Sequence, residues 1–425
     1  MGDVMRIAWV VWIGMMFSVG CVAAPVEVPF YYPIAVHSPA AEALDGLVQE
    51  FNAAHQDSVV RAVYGGTYQE TVALVLAGAQ AGSAPPAAVL FAVDIYSLLD
   101  AGLLLPFDDL VKTPQERAWL DSFPPALMAN SQVAGKTWGI PLQRSTILLY
   151  WNKKHFREAG LDAERPPATW GELAEDAQRL TTVGRRGSME RWGVAIPTTG
   201  FPYWMLQGLS ASGGTRLAAQ AGNVTYFDAL PVVSALEFWR QLIRSGSHPA
   251  EVEWGRAPKD FVRGKFSMLL STSGNLAYFH NHQSSLELGV AALPAQGVSP
   301  TGGGNFYVFR DSSPQQQRAA LDFIRWMTAP EQTARWSMQT GYLPVTQAAW
   351  EQPALREYAQ DFPAVTVASA QLARAIPELA THENQRVTRV LNAAITAVLK
   401  GTRTPQAALH DAQAQAVMIL RPYRR

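Results

Sequence analysis

The run Thr272-Ser273-Gly274-Asn275-Leu276 follows the apolar stretch Phe266-Ser267-Met268-Leu269-Leu270 and opens a predicted helix. Hydroxyls, a permissive glycine and the free N–H groups of a helix start would then converge on one point. Such a point suits an anion or a polyol. Taken alone, a strand end of this kind reads as an ordinary N-cap. What favours a site is company, because Tyr68, Ser145, Gly303 and Tyr342 stand in similar strand-end contexts far apart in the chain. These five positions are expected to meet in a cleft between two lobes.

Other chemistries find little support. Of the eight histidines only His280 and His282 are close in sequence, and on a helix that spacing turns them to different faces. There is no zinc-ligand spacing, no Gly-x-Ser-x-Gly elbow and no phosphate-cradling Gly-x-x-x-x-Gly-Lys-Ser/Thr loop. The pair Asp108-Asp109 reads as solvated surface. No catalytic residue, metal or cofactor is therefore expected. With 34 basic and 35 acidic residues the net charge is −1, and no like-charge run is long enough to steer nucleic acid. The 13 tryptophans are mainly core, with a hint of exposed rings for polyols.

The elements that must position those residues follow from length and periodicity. A chain of 425 residues exceeds the roughly 250–300 that one hydrophobic core supports, so two lobes are expected. Residues 1–23 read as a signal peptide: Arg6, then the uncharged stretch Ile7 to Gly20, then small residues around Cys21-Val22-Ala23-Ala24. Cys21 is the sole cysteine, so the mature chain is expected to have no disulfide. An alternative makes Cys21 a lipid-modified N-terminus, although Ser18-Val19-Gly20 departs from a lipobox. Strands are predicted over 26–32, 58–63 and 87–91. A helix over 40–54 aligns Leu44, Leu47, Val48 and Phe51, and Thr67 caps another over 68–77. This alternation predicts a doubly wound α/β lobe with ligands outside the carboxyl ends of its strands. The polar break Gln143-Arg144-Ser145-Thr146 lies between two extended runs and reads as a hinge. Residues 302–309 and 341–345 look like two later crossings. The expected division is 24–142 plus 306–341 for one lobe and 143–305 plus 342–425 for the other.

Several motifs carry a resemblance: Phe51-Asn52-Ala53, Pro141 to Thr146 followed by Tyr150-Trp151-Asn152-Lys153, Pro167-Ala168-Thr169-Trp170, Thr340-Gly341-Tyr342-Leu343-Pro344-Val345-Thr346 and Gly401-Thr402-Arg403-Thr404-Pro405. With these, nearly the whole mature chain resembles the extracellular solute-binding proteins of ABC importers, particularly their glycerol-3-phosphate-binding branch. The resemblance implies a type II two-lobe α/β fold with mixed sheets flanked by helices and three hinge crossings. It further implies a periplasmic monomer that hands its ligand to a membrane permease with a cytoplasmic ATPase.

That branch's contacts fall on Tyr68, Ser145, Thr272, Gly303 and Tyr342. The carboxylate that receives glycerol hydroxyls falls on Ala92, with Asp94 two residues on and on the same face if the strand continues. Two cleft tryptophans fall near Gly200 and Tyr203, beside Phe201 and Trp204. The phosphate-binding arginine falls on Thr388, between Arg386 and Arg389, of which Arg389 is the preferred substitute. Arg144 is a further candidate, the alternative being a solvated hinge charge. A lost carboxylate and a widened tryptophan side imply a glycerophosphodiester rather than free glycerol-3-phosphate, its head group near Ala92, Phe201, Tyr203 and Trp204. A neutral oligosaccharide is the rival ligand, and it would require cleft carboxylates.

Overall fold

The structure is a computed structural model that describes residues 24–35 and 39–424. The expected signal peptide and Cys21 lie outside these residues. Twelve strands occur among them: β1 (Val26–Tyr32), β2 (Ser58–Tyr64), β3 (Ala87–Phe91), β4 (Gln132–Val133), β5 (Lys136–Thr137), β6 (Ile140–Ser145), β7 (Ile147–Asn152), β8 (Thr182–Val183), β9 (Met189–Ala195), β10 (Phe266–Thr272), β11 (Leu288–Ala292) and β12 (Gly302–Val308). They form two five-stranded mixed sheets, ordered β2-β1-β3-β12-β6 and β11-β7-β10-β9-β8, and a small β4-β5 hairpin. No helix among the described residues is long and apolar enough to cross a membrane.

The central strands are buried along their whole length, as in β3 (AAVLF), β7 (ILLYWN) and β10 (FSMLLST). Continuous apolar runs of this kind need cover on both faces, and helices supply it. The helix Ala40–Ala54 buries Leu44, Leu47, Val48 and Phe51, the stripe its periodicity predicts. Phe51 meets Phe323 edge-on at 5.2 Å. Thr67 caps the helix Tyr68–Gln80 in a full capping box with Glu70, which fixes where Tyr68 enters the structure. On the second sheet, helices Pro202–Ala211, Leu230–Arg244, Asn384–Leu399 and Pro405–Leu420 pack together.

Three passages cross between the sheets, and they are tied to one another. β6 passes into β7 through Thr146, whose carbonyl accepts a bond from the Ser273 amide at 2.8 Å. The Arg144 carbonyl accepts from Leu343 N–H at 2.8 Å, and Ile147 N–H donates to Ser299 Oγ at 2.9 Å. The hinge break is thus shorter than its polarity suggests, because β6 pairs with β12 through Ser145. The expected lobe limits at 142 and 305 fall inside β6 and β12 rather than at their ends. Gly303 makes the β6 pairing possible: its φ is +108°, and a Cβ there would lie 1.6 Å from the Gln143 carbonyl oxygen.

Candidate ligand-binding cleft

A narrow pocket opens where the crossings meet. Tyr68, Ser145, Thr272, Gly303 and Tyr342 all line it, so positions spread over most of the chain share one wall. Each is delivered by an element end. Ser145 and Thr272 are the last residues of β6 and β10, and Tyr68 is the first of its capped helix. Tyr342 follows Gly341, which ends the helix Pro330–Thr340 in a left-handed conformation. The Tyr342 ring lies parallel to Trp336, with centroids 6.0 Å apart. The Tyr68 hydroxyl donates to Gln143 Oε1 at 2.6 Å, and Gln143 Nε2 donates in turn to the Pro33 carbonyl at 2.9 Å. Burial raises both phenols far above their usual range, so both stay protonated, with the one Tyr68 proton already spent on Gln143.

The helix start at Thr272 differs from expectation. Ser273–Asn275 forms a 3-10 turn, followed by a helix of only five residues, Leu276–His280. Its amides are already used: Ser273 N–H on the Thr146 carbonyl, and Gly274 N–H on Thr272 Oγ1 at 3.0 Å. The stretch is a hinge clasp, and only the Thr272 side chain is left to face the pocket. Asp94 is corrected too. β3 stops at Phe91 and Ala92–Asp94 turns as a 3-10 helix, so Asp94 leaves the strand face and lies buried outside the pocket lining. Burial pushes its carboxyl up to about 7, against the opposing effect of Asn384. Ala92 is likewise buried away from the pocket.

The arginines divide in a way the sequence did not indicate. Arg386 and Arg389 are exposed and line an outer groove with Val390, Gln415, Met418 and Ile419. The reason is helical phase, because Val387, Leu391 and Ile395 hold the buried stripe of Asn384–Leu399. Thr388 bonds the Asn384 carbonyl within its own helix. Arg389 and Arg386 therefore do not reach the pocket. Arg144, in contrast, is fully buried rather than solvated. Its Nη2 donates to Thr301 Oγ1 at 3.0 Å, while Nε and Nη1 have no hydrogen-bond partner among the described residues. Its side chain lies outside the pocket lining, in the electrostatic reach of Glu378, Tyr307 and Tyr68.

Glu378 is the carboxylate that sequence reading missed. It lines the pocket, is 3% exposed, and accepts a bond from the Tyr203 hydroxyl on Oε1 at 2.7 Å. Its Oε2 has no partner among the described residues. Burial raises it to about 8, opposed by Tyr203 and Arg144 and reinforced by Asp94. Two side-chain amides grip its backbone. Asn130 Oδ1 accepts from Glu378 N–H at 3.1 Å, and Asn130 Nδ2 donates to the Glu378 carbonyl at 3.1 Å. From the helix Pro202–Ala211, Gln207 bonds the flanking Leu379 N–H and Pro377 carbonyl. The available signal was a lone acid in the apolar run Ala375-Ile376-Pro377-Glu378-Leu379-Ala380, which argues for burial with a purpose.

Rings complete the lining. Phe91 stacks on Tyr68 at 4.6 Å and meets Phe201 edge-on at 5.7 Å. Phe201 meets Trp254 at 5.0 Å, and Trp254 meets Trp204 at 6.1 Å, both edge-on. Trp204 Nε1 donates to the Thr301 carbonyl. Tyr203, expected beside the ligand, instead points to Glu378 and is not part of the lining. A wider space of about 950 Å³ forms the mouth and shares Tyr68, Phe201 and Trp254. Among the described residues no group of acids, histidines or cysteines is arranged to hold a metal ion.

Comparison with known proteins fits this geometry. The model of the family "Bacterial extracellular solute-binding protein" matches residues 46–364. The sn-glycerol-3-phosphate-binding periplasmic protein UgpB of Yersinia pseudotuberculosis is 24% identical over 96% of this chain and 95% of its own. That of Pectobacterium atrosepticum is 25% identical over 96% and 94%. Among solved structures, UgpB from Mycobacterium tuberculosis in complex with glycerophosphocholine superposes with a TM-score of 0.82, at 22% identity over 94% of this chain and 99% of that one. The cyclic alpha-maltosyl-1,6-maltose binding protein of Arthrobacter globiformis gives 0.76, at 25% identity over 93% and 99%. These relatives are binding proteins, not enzymes. With two mixed sheets joined by three crossings, a pocket at their junction and a family match over most of its length, the chain belongs to the bacterial extracellular solute-binding proteins.

Proposed function

We propose that this protein is the periplasmic capture component of an ABC importer and that it binds a glycerophosphodiester between its two halves. The observation that carries the reading is the convergence of Tyr68, Ser145, Thr272, Gly303 and Tyr342 on one wall, where Ser145, Thr272 and Tyr342 keep hydroxyls for a ligand. Neutral donors that cannot ionise at pH 7 serve a phosphodiester, which accepts and does not donate. The Gly303 backbone lies on the same wall, and Arg144 behind it adds a positive field. Relatives that bind sn-glycerol-3-phosphate, and one solved with glycerophosphocholine, support the same ligand class.

Closure follows from the contacts across the cleft. Trp254 Nε1 donates to the Ala35 carbonyl at 3.0 Å on one side. On the other, Tyr96 bonds the Gln220 carbonyl and His382 meets Asp100 at 2.8 Å. A ligand touching both halves selects the arrangement in which these contacts form, and the permease reads that shape. Micromolar capture requires about −8 kcal/mol in all.

A neutral oligosaccharide remains a second reading, favoured by the Glu378 carboxylate among rings and by the cyclic alpha-maltosyl-1,6-maltose binding neighbour. A thermal-shift panel separates the two. At about 100 times its Kd a ligand adds about 2.7 kcal/mol of stability, and glycerophosphodiesters are expected to give that shift. A shift with maltotriose and none with any phosphodiester overturns the reading.

A further inference from the structure

We infer that the mouth of the cleft is a second subsite, built for an uncharged polyol head group, such as inositol or glycerol, on the far side of the phosphate. This deepens the phosphodiester reading and rests on it. Three observations carry the inference. The inner pocket is narrow, and the wider space lies outside it, lined from one half by Thr67 and Gln69 and from the other by Phe201, Glu253 and Trp254. Position 200, near which the resemblance puts a cleft tryptophan, is a glycine with φ +78°, and a Cβ there would lie 2.6 Å from the Trp254 Cβ. Trp254 therefore packs against bare backbone, and the volume of the missing indole is left to the mouth. The polar side chains at the rim keep bonding capacity. Glu253 accepts only the Gly255 amide, on Oε1 at 2.9 Å, and the exposed Gln69 side chain has no hydrogen-bond partner among the described residues.

The lining selects a head group by what each candidate would leave unused. A polyol answers all of it, because every hydroxyl both donates and accepts. Glu253 accepts, the Gln69 amide does both, and the half-buried rings of Phe201 and Trp254 cover the C–H surface. A quaternary ammonium would use Glu253 and the rings but offer nothing to Gln69. An anionic head group would meet the Glu253 carboxylate at the same rim and be repelled. Gln69 and Trp254 come from opposite halves, and Trp254 Nε1 already donates to the Ala35 carbonyl across the gap at 3.0 Å, so a head group bridging the two adds to closure. The sequence expectation put the head group deeper, near Ala92, Phe201, Tyr203 and Trp204; of these only Phe201 lines the mouth.

The test is calorimetric titration of the mature chain with diesters of sn-glycerol-3-phosphate that differ only in the head group: methyl, choline, glycerol and inositol. Maltotriose is the control. The expected result is that the glycerol and inositol diesters each bind at least about tenfold tighter than the methyl diester, the equivalent of one or two net hydrogen bonds. Gln69→Ala and Glu253→Ala, both at exposed positions, are each expected to reduce that ratio to below about threefold, with a cooperative melt as the check on folding. Equal affinity of the wild-type protein for all the diesters, or tightest binding of the choline diester, overturns the head-group inference and leaves the phosphodiester reading standing. Failure of every diester to bind, with or without binding of maltotriose, overturns both.

Discussion

Two carboxylates, Glu116 and Glu378, are equally hidden, at 2% and 3% exposure, and their surroundings treat them in opposite ways. Glu116 accepts from the Lys112 and Thr113 amides at 2.6 and 3.1 Å and meets Arg318 at 2.6 Å. The Lys112 amide first, then Arg318 and the Thr113 amide, hold it down at about 2. Glu378 has a single tyrosine hydroxyl and is pushed up to about 8 by burial. One site is satisfied by the fold; the other is left short of partners where two halves of the molecule meet. Burial alone does not mark a binding residue, whereas burial with unmet bonding capacity beside a pocket does.

Removing the satisfied carboxylate has the largest expected effect on stability. Glu116→Gln is expected to cost about 2–3 kcal/mol, discounted because Arg318 is half exposed, and urea titration at pH 7 measures it. In the wild-type protein the Glu116 contribution is present above an unfolded value of about 4.3 and fades as pH falls toward 2. Affinity for the ligand should not change with this substitution. A weakened ligand at unchanged fold would break the contrast.

Glu378 has the opposite sign. A carboxyl raised in the folded state stabilises below its unfolded value, and that contribution is lost as pH rises through about 8. Its ionised form would repel a phosphodiester in the same cleft, so glycerophosphodiester affinity is expected to fall as pH rises through about 8. The groups facing Glu378 are Tyr203, Arg144 and Asp94. Asp94, raised to about 7, titrates nearby, so Glu378→Gln under the same protocol isolates the contribution of Glu378. A flat profile in the wild-type protein would separate Glu378 from the ligand.

Smaller effects sharpen the same contrast. Tyr203→Phe deletes the hydrogen bond to the Glu378 carboxylate and is expected to cost about 1 kcal/mol, moving the midpoint of the affinity profile to higher pH. Arg389→Ala is expected to change stability by less than about 0.5 kcal/mol and affinity not at all. Melting curves with and without glycerophosphocholine measure both.

The sequence made the scaffold legible because scaffolds repeat simple patterns. The apolar stripe of Leu44, Leu47, Val48 and Phe51, the cap at Thr67 and the buried run at β3 depend on near neighbours only. The convergence of Tyr68, Ser145, Thr272, Gly303 and Tyr342 was expected from their strand-end contexts together with a family likeness, since no local rule alone brings such distant positions together. What escaped was phase and tertiary contact. Helical phase turns Arg386 and Arg389 outward, a 3-10 turn after Phe91 removes Asp94 from its strand face, and the amides at Ser273 and Gly274 are taken by the hinge. Trp254 and Glu378 reach the pocket from loops, where periodicity is silent.

The most direct measurement is a crystal structure with glycerophosphocholine bound. The account predicts the phosphate against the Ser145, Thr272 and Tyr342 hydroxyls, between the two halves of the molecule. A phosphate bound away from these residues, on the outer groove of Arg386 and Arg389 for example, would contradict it.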